Sequence, residues 1–225
     1  MDFTNLKGIA VPPIAGLFDS KKSIQIDLES FLSQNPEIPE DQKVNKAVAF
    51  IKNQKLLNDA EIAFGGYFEK RSWYQRSDLF GSKKDSFRNI HIGIDVWVDE
   101  GTEVFVPLDA VVHSFKNNKG KGNYGPTIIL KHQTEGQRAF YTLYGHLSKE
   151  SLKKLKVNQS LKKGEVFAHI GNKSENGEWP PHLHFQLITD LQAYEGDFPG
   201  VISENDVDFF KKICPSPYDL FIFPK

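Results

Sequence analysis

From Ala63 onward, the chain is a succession of short apolar or alternating runs that are separated by glycine and asparagine. Runs of about four to eight residues between turn-forming residues are typical of β-strands. Because the runs are short and closely spaced, we predict a mainly β fold, a small antiparallel β-barrel or sandwich with added helices. The candidate strands are Ile92–Val98, Ala110–Phe115, Thr127–Lys131, Arg138–Tyr144, Glu165–Ile170 and His182–Ile188.

The first 62 residues differ in character, because they are polar and have a helical pattern. Between Asp41 and Leu57, apolar side chains recur at helical spacing. These side chains are Val44, Ala47, Val48 and Ile51. We therefore predict an N-terminal helical segment over residues 1–62, packed on a β domain over residues 63–225.

Two further helices are expected within the β domain. A short helix should follow Ser148, which is a suitable N-cap residue. Another should span Glu204–Ile213 near the C-terminal tail, with Ser203 as its N-cap and Asp206 at the capping-box position.

Charge and composition argue against several classes of partner. The 28 basic and 29 acidic residues leave a formal net charge of −1, so no basic surplus indicates a nucleic-acid partner. No apolar run approaches the roughly 18 residues of a membrane span. Asp2 and Pro12 do not fit a signal peptide, so we expect a cytoplasmic rather than an exported protein. The single cysteine, Cys214, excludes an internal disulfide and a multi-cysteine metal site.

Histidines are the main candidates for metal chemistry, since zinc favours imidazole and carboxylate ligands. His182 and His184 lie two residues apart in a strand-like run, where they share a face at a separation of ~6–7 Å. That separation suits one metal ligand and one neighbour beside the metal's water. His113, His132 and His169 lack a comparable motif, and we expect them to be strand or surface residues.

His91 and Asp95 are separated by three residues within an apolar run. In a fully extended strand they would lie ~13 Å apart, too far to share a metal ion. They converge only if the chain bends before the strand, and Gly93 would tolerate such a bend. A helical i, i+4 arrangement would also bring them together, but the β-branched Ile92 and Ile94 favour a strand.

Taken in order, these motifs resemble those of one family. His91-x-x-x-Asp95, Tyr144-Gly145-His146-Leu147 and Pro181-His182-Leu183-His184-Phe185 are similar to motifs of the lysostaphin/LytM-type zinc metallopeptidases, which include bacterial cell-wall endopeptidases. The similarity covers roughly residues 63–190 and implies the duplicated hybrid motif fold. Asn89–Asp95, Asn123–Leu130 and Trp179–Leu187 further resemble a subgroup of peptidase-like domains that also occur fused to kinase-like and aminotransferase domains.

The resemblance implies that His91, Asp95 and His184 bind one Zn²⁺ ion, with His146 and His182 as catalytic residues beside it. Zinc lowers the pKa of bound water toward ~7, and a neutral histidine can accept the proton. The implied enzyme is a zinc metalloendopeptidase that hydrolyses a peptide or related amide bond. Its substrate would be a peptide or a peptidoglycan-like cross-link, or a small intracellular peptide or amide if the narrower resemblance holds.

Alternatives remain at several positions. The chain could instead be a non-catalytic zinc-binding or activator module of the same fold, or a lipoyl-type carrier with a modifiable lysine and no metal site. Tyr144 either directs its hydroxyl at an oxyanion or packs as an aromatic, and Arg71 or Arg76 either binds a substrate carboxylate or lies on a surface strand. Asn158 and Gln186 stand where many family members carry glycine and glutamate.

Overall fold

The computed structural model describes residues 3–71, 87–133 and 138–221. Within these ranges β-strands dominate, so the prediction of a mainly β fold is confirmed. The strands are β1 Ser23–Gln25, β2 Ile62–Gly65, β3 Glu69–Lys70, β4 Arg88–His91, β5 Ile94–Trp97, β6 Glu103–Phe105, β7 Ala110–Asn118, β8 Gly125–His132, β9 Phe140–Gly145, β10 Ser160–Leu161, β11 Val166–His169, β12 Leu183–Ile188 and β13 Val201–Ser203. The α-helices are α1 Leu28–Ser33, α2 Lys43–Leu57, α3 Lys149–Lys153 and α4 Val207–Ile213.

The main sheet contains eight strands in the order β1-β2-β5-β12-β9-β8-β7-β10. Its neighbouring strands are antiparallel, except that β1 and β2 are parallel. Two smaller sheets pair β11 with β6 and place β4 between β13 and β3. In the part of the chain that the structure describes, the outer strands β1 and β10 do not pair, so the main sheet is open rather than a closed barrel.

Both faces of the main sheet are covered by other parts of the chain. Along β12, Phe185 and Leu187 belong to one buried apolar cluster, whereas Ile188 belongs to a second cluster. His184 and Gln186 are also buried on this strand. Burial on both faces explains why the strand is apolar almost throughout, and it places the two polar side chains in surroundings of low polarity.

The N-terminal segment contributes a strand as well as helices. β1 pairs in parallel with β2, across the predicted boundary after residue 62. Phe3, Leu17 and Phe18 are buried in the same apolar cluster as the main-sheet strands. The sequence analysis missed β1, because three residues are too few to show a period of two. The division into two domains stays a prediction.

The helices follow the predictions in two cases and differ in one. The helix predicted within Asp41–Leu57 is α2, and the side chain of Ser148 caps α3 by accepting a hydrogen bond from the Ser151 backbone. The helix predicted over Glu204–Ile213 begins instead with a 3-10 turn, and Ser203 makes no side-chain cap bond. The Ser203 hydroxyl instead donates to Asp206 Oδ2 at 2.7 Å. None of the described helices is long and apolar enough to cross a membrane.

Candidate metal centre

The central strand β12 organises the site through its two neighbours. On one side β12 pairs with β5, where His184 lies opposite Asp95. On the other side it pairs with β9, where His184 lies opposite Gly145, the residue before His146. The sheet register therefore brings together residues that are far apart in the sequence.

A break between two strands brings His91 to the same place. β4 ends at His91 and β5 begins at Ile94, so the run predicted as one strand, Ile92–Val98, is interrupted at its start. In the gap, the Ile92 backbone N–H donates to the Gly200 carbonyl at 2.9 Å. The predicted bend near Gly93 is therefore present.

Gly93 is needed because the chain passes very close to His184. A Cβ atom at this position would lie 2.6 Å from Cε1 and Nε2 of the His184 ring and 2.9 Å from the Phe185 carbonyl oxygen. Such contacts are shorter than van der Waals distances, so any larger residue would displace the ring. The sequence predicts only that Gly93 tolerates a backbone bend, and the structure adds a steric requirement for glycine there.

We expect Gly93→Ala to lower the affinity for a divalent metal by about tenfold to a hundredfold, because the displaced His184 ring would no longer be correctly oriented. Metal affinity can be measured by competition with a coloured chelator. Gly101→Ala is the control, since its Cβ would have nothing within 4 Å although its φ of +80° makes it somewhat strained. An unchanged metal affinity in Gly93→Ala would contradict the prediction.

Three candidate ligand atoms lie close together: His91 Nε2, Asp95 Oδ1 and His184 Nδ1. The two nitrogens are 2.9 Å apart, and the carboxylate oxygen lies 3.2 Å from the first and 3.3 Å from the second. Zinc bonds of about 2.0–2.1 Å in a tetrahedron place ligand atoms about 3.3 Å apart. The triangle therefore has the dimensions of three zinc ligands, and all three side chains are buried.

In His91 and His184, the ring nitrogen that points away from the triangle has a hydrogen-bond partner. His91 Nδ1 lies 2.8 Å from the Gly66 carbonyl, which can only accept, so this nitrogen donates and Nε2 presents its lone pair. His184 Nε2 lies 3.2 Å from Gln186 Oε1 and 3.3 Å from the Tyr124 hydroxyl. Donation to Gln186 leaves His184 Nδ1 unprotonated, and this arrangement is typical of metal-binding histidines.

Two observations fit a cation at the centre of the triangle. The unprotonated nitrogens of His91 and His184 face each other at 2.9 Å, where two lone pairs repel unless a positive charge lies between them. Asp95 Oδ1 is buried and accepts no hydrogen bond. A buried carboxylate oxygen without a donor is costly, and a metal ion would satisfy it.

The second oxygen of Asp95 is held by an ion-pair chain. Arg71 Nη1 lies 2.8 Å from Asp95 Oδ2, and Arg71 Nε lies 2.9 Å from Glu69 Oε2. Glu69 Oε1 in turn accepts from the backbone N–H groups of Leu28 and Glu29, at the start of α1. Because one oxygen is occupied by Arg71, Asp95 presents a single oxygen to the site.

Neither interpretation of Arg71, as a substrate-carboxylate contact or as a surface strand residue, fits the structure. Its side chain is 3% exposed and its guanidinium is already paired with two carboxylates. Arg76 lies outside the described residues. Tyr144 is fully buried and its hydroxyl accepts from Thr142 in the core, so the packed-aromatic interpretation applies rather than an oxyanion contact.

The protonation states also suit metal ligation. Burial by itself raises the pKa of Asp95, but the nearby His91 and Arg71 outweigh it and hold that pKa well below its usual range. Burial lowers the pKa of His91 to about 4, and the charge of Arg71 acts in the same direction. Near neutral pH the site therefore holds a carboxylate beside a neutral imidazole, which are the forms that bind metals.

His146 and His182 stand next to the triangle, with ring centroids 4.2 Å apart. Their Nδ1 atoms donate to the Asn176 carbonyl at 2.9 Å and to the Pro180 carbonyl at 2.7 Å, so each has Nε2 as its basic nitrogen. His182 Nε2 lies 3.7 Å from Asp95 Oδ1. Burial lowers the pKa of both histidines, which keeps them neutral near pH 7.

His146 has a backbone φ of 62°, a conformation that is costly for a residue with a Cβ atom. Its position is stabilised on both sides, because the His146 N–H donates to Tyr124 and its carbonyl accepts from Gly171, both at 2.9 Å. Asn158 also has a positive φ, 67°, as expected for a residue that replaces glycine in a turn. His132 is buried beside Phe140 and bonded to Thr142, away from the site.

The five site residues line a cavity of about 300 Å³. Tyr124, Trp97 and Trp179 line it as well. Tyr124 was not predicted as a partner of His184, because a separation of 60 residues gives no spacing that indicates a shared site. The cluster also argues against the carrier alternative, which required no metal site.

Residues 89–195 match the family model for peptidase family M23. The match spans a little under half of the chain, and this part is similar to M23 peptidase domains. The family recognised from the motifs is thereby confirmed, while the subgroup with fused kinase-like and aminotransferase domains stays a prediction.

Two curated relatives carry informative names. A protein of Haemophilus influenzae named "Uncharacterized metalloprotease" is 36% identical over 97 residues, covering 43% of this chain and 18% of that protein. The "DD-carboxypeptidase/endopeptidase Mpg" of Neisseria meningitidis serogroup B is 32% identical over 97 residues, covering 43% of this chain and 20% of that protein. The chain thus spans about one fifth of the length of the curated relatives it matches.

Among solved structures, the catalytic domain of the antimicrobial peptidase lysostaphin from Staphylococcus simulans is 22% identical, with a TM-score of 0.38. That match covers 70% of this chain and 96% of the lysostaphin chain. The catalytic domain of the M23 protein EnpA from Enterococcus faecalis is 20% identical with a TM-score of 0.38, covering 54% of this chain and 87% of that one.

Proposed function

We propose that this chain is a zinc-dependent peptidase that hydrolyses a peptide or related amide bond. The observation that carries the proposal is the triangle of His91 Nε2, Asp95 Oδ1 and His184 Nδ1, whose sides of 2.9, 3.2 and 3.3 Å match three zinc ligands. Two neutral histidines beside the triangle provide the proton-transfer groups that hydrolysis requires.

His91, Asp95 and His184 would hold the ion. When bound, zinc would polarise the scissile carbonyl and lower the pKa of water toward about 7. His182 is placed to accept the proton of the attacking water, because its Nδ1 already donates to Pro180 and its Nε2 is basic. His146, whose Nδ1 donates to Asn176, also has a basic Nε2, through which the proton taken from water would pass to the leaving amine.

The proposed substrate class is a peptide or a peptidoglycan-type cross-link. Support comes from the family match and from the relative named as a DD-carboxypeptidase/endopeptidase. A cytoplasmic location would instead favour a small peptide or amide, and this location remains a proposal from the sequence.

Metal removal tests the proposal. We expect that dialysis against a chelator abolishes cleavage of a mixed peptide library and that one equivalent of Zn²⁺ restores it, because the three ligand atoms define a single site. Magnesium should not restore activity, since it prefers oxygen ligands in an octahedron. Cleavage and metal content are measured on the same samples by mass spectrometry.

Two outcomes would contradict the proposal. Cleavage that survives complete metal removal would exclude a metallopeptidase. Stoichiometric zinc without cleavage of any library peptide or of purified peptidoglycan would favour the non-catalytic activator module instead.

A further inference from the structure

Helix α2 places two valines on the wall of the cavity that contains the metal centre. Val44 and Val48 are one helical turn apart and only half-buried, and both line this cavity. The next apolar positions of the helix, Ala47 and Ile51, are buried in a cluster with Trp97. Ala47 and Ile51 also line the cavity, but they are buried, so the valine pair is the more accessible part of this wall.

Trp97, which packs against Ala47 and Ile51 of α2, also lies next to a candidate catalytic histidine. The Trp97 ring is stacked near His182, with ring centroids 6.4 Å apart and an interplanar angle of 26°. Across the cavity, Trp179 lies with its ring centroid 6.4 Å from that of His146. The two histidines are thus flanked by aromatic rings, within a cavity whose lining also includes the polar Arg88, Asn123 and Asp197.

A substrate bound for hydrolysis would have to place a side chain in this space. Its scissile carbonyl must reach the triangle of His91, Asp95 and His184, and a neighbouring side chain then lies within the same cavity of about 300 Å³. A glycine residue would leave the valines exposed to water, whereas a large apolar side chain would bury them.

We propose that Val44 and Val48 form a specificity subsite for a bulky apolar side chain, such as leucine or phenylalanine, next to the scissile bond. This inference rests on the proposed peptidase function. The consequence is that glycine-glycine peptides are poor substrates, since a difference of even one methylene in an apolar pocket changes selectivity by about tenfold or more.

Binding of uncleavable peptides tests the subsite separately from catalysis. The probes are blocked dipeptides in which the central amide is replaced by a CH2–NH linkage, with glycine, leucine or phenylalanine at the variable position. Binding to the zinc-loaded full chain is followed by tryptophan fluorescence, because Trp97 and Trp179 line the cavity. We expect the leucine and phenylalanine probes to bind at least about ten times more tightly than the glycine probe.

Variants of α2 assign the effect to the valine pair. Val48→Asp is expected to remove the tenfold preference, because it puts a charge into the apolar wall. The matched control is Asn45→Asp, which adds the same charge at an exposed position of the same helix and should preserve the preference. If Val48→Asp does not fold, Val48→Thr keeps the side-chain shape and should reduce the preference.

The outcomes separate the two hypotheses. Equal binding of the glycine and leucine probes, or a preference that survives in the folded Val48 variants, would overturn the subsite. A clear apolar preference without metal-dependent cleavage would retain the subsite as a peptide-binding feature and would contradict only the peptidase function.

Discussion

Replacing His184 with alanine is expected to reduce metal affinity by at least about 100-fold and to abolish peptide hydrolysis. In the proposed site, His184 supplies one of three ligand atoms, and its loss would leave only His91 Nε2 and Asp95 Oδ1, which lie 3.2 Å apart. Two ligands bind zinc much more weakly than the three that catalytic sites use. Metal content after gel filtration and the rate of cleavage measure the two effects on the same preparation.

His182→Ala is the informative partner of this variant, because His182 is two residues away but does not belong to the triangle. We expect it to retain the metal while kcat falls by about 10²–10⁴-fold, the range for loss of a general base or acid. His113→Ala serves as a matched control, since His113 contacts Ser114 and Tyr141 away from the site.

The opposite pattern would contradict the assignment. Full metal content in His184→Ala would remove His184 from the ligand set. Loss of metal in His182→Ala would make His182 a ligand rather than a catalytic residue.

Replacing Arg71 with methionine is expected to destabilise the protein by about 3–5 kcal/mol, the range for removal of one partner from a buried ion pair. Arg71 is paired with Asp95 and Glu69, and both carboxylates would lose their counter-ion. The free energy of unfolding of the metal-free protein, measured with urea, checks this value. Zinc should recover part of the loss, because its charge also compensates Asp95.

The control for this variant is Lys70→Met at the adjacent position. Lys70 pairs with Glu204 on the surface, with both side chains more than half exposed, so its removal should change stability very little. Addition of Glu69→Gln to Arg71→Met should restore part of the stability, since it removes one of the uncompensated charges. If Arg71→Met and Lys70→Met lower the free energy of unfolding by similar amounts, the buried ion pairs of Arg71 contribute no more to stability than the surface pair of Lys70 does.

The candidate site divides into residues that local patterns could predict and residues that they could not. His91, Asp95 and His184 were predicted as ligands because they belong to motifs with a known order, and the structure places them together. For Arg71, the sequence left a substrate contact and a surface strand residue as alternatives, since nothing in its local sequence shows that it is buried against two carboxylates. Burial of a charged side chain is a property of the packed molecule.

The fold shows the same division. The longer strands have clear apolar patterns: β7 and β8 include the runs predicted for them, and β9 and β12 overlap theirs but begin one or two residues later. β1 has only three residues, and its parallel pairing with β2 depends on contacts across 36 residues of intervening chain. Local periodicity contains no information about such a partner.

The triangle of His91, Asp95 and His184 shows which features the sequence could predict and which required the tertiary structure. By itself, the sequence determined the β character of the domain, the family and the condition that His91 and Asp95 can share a metal only if the chain bends. Only the tertiary structure decided how that condition is met, through a strand break at Ile92 and Gly93 with the His184 ring packed against Gly93. The physical reason is that ligand geometry depends on distances of a few tenths of an ångström between side chains from different strands, which only packing and sheet register determine.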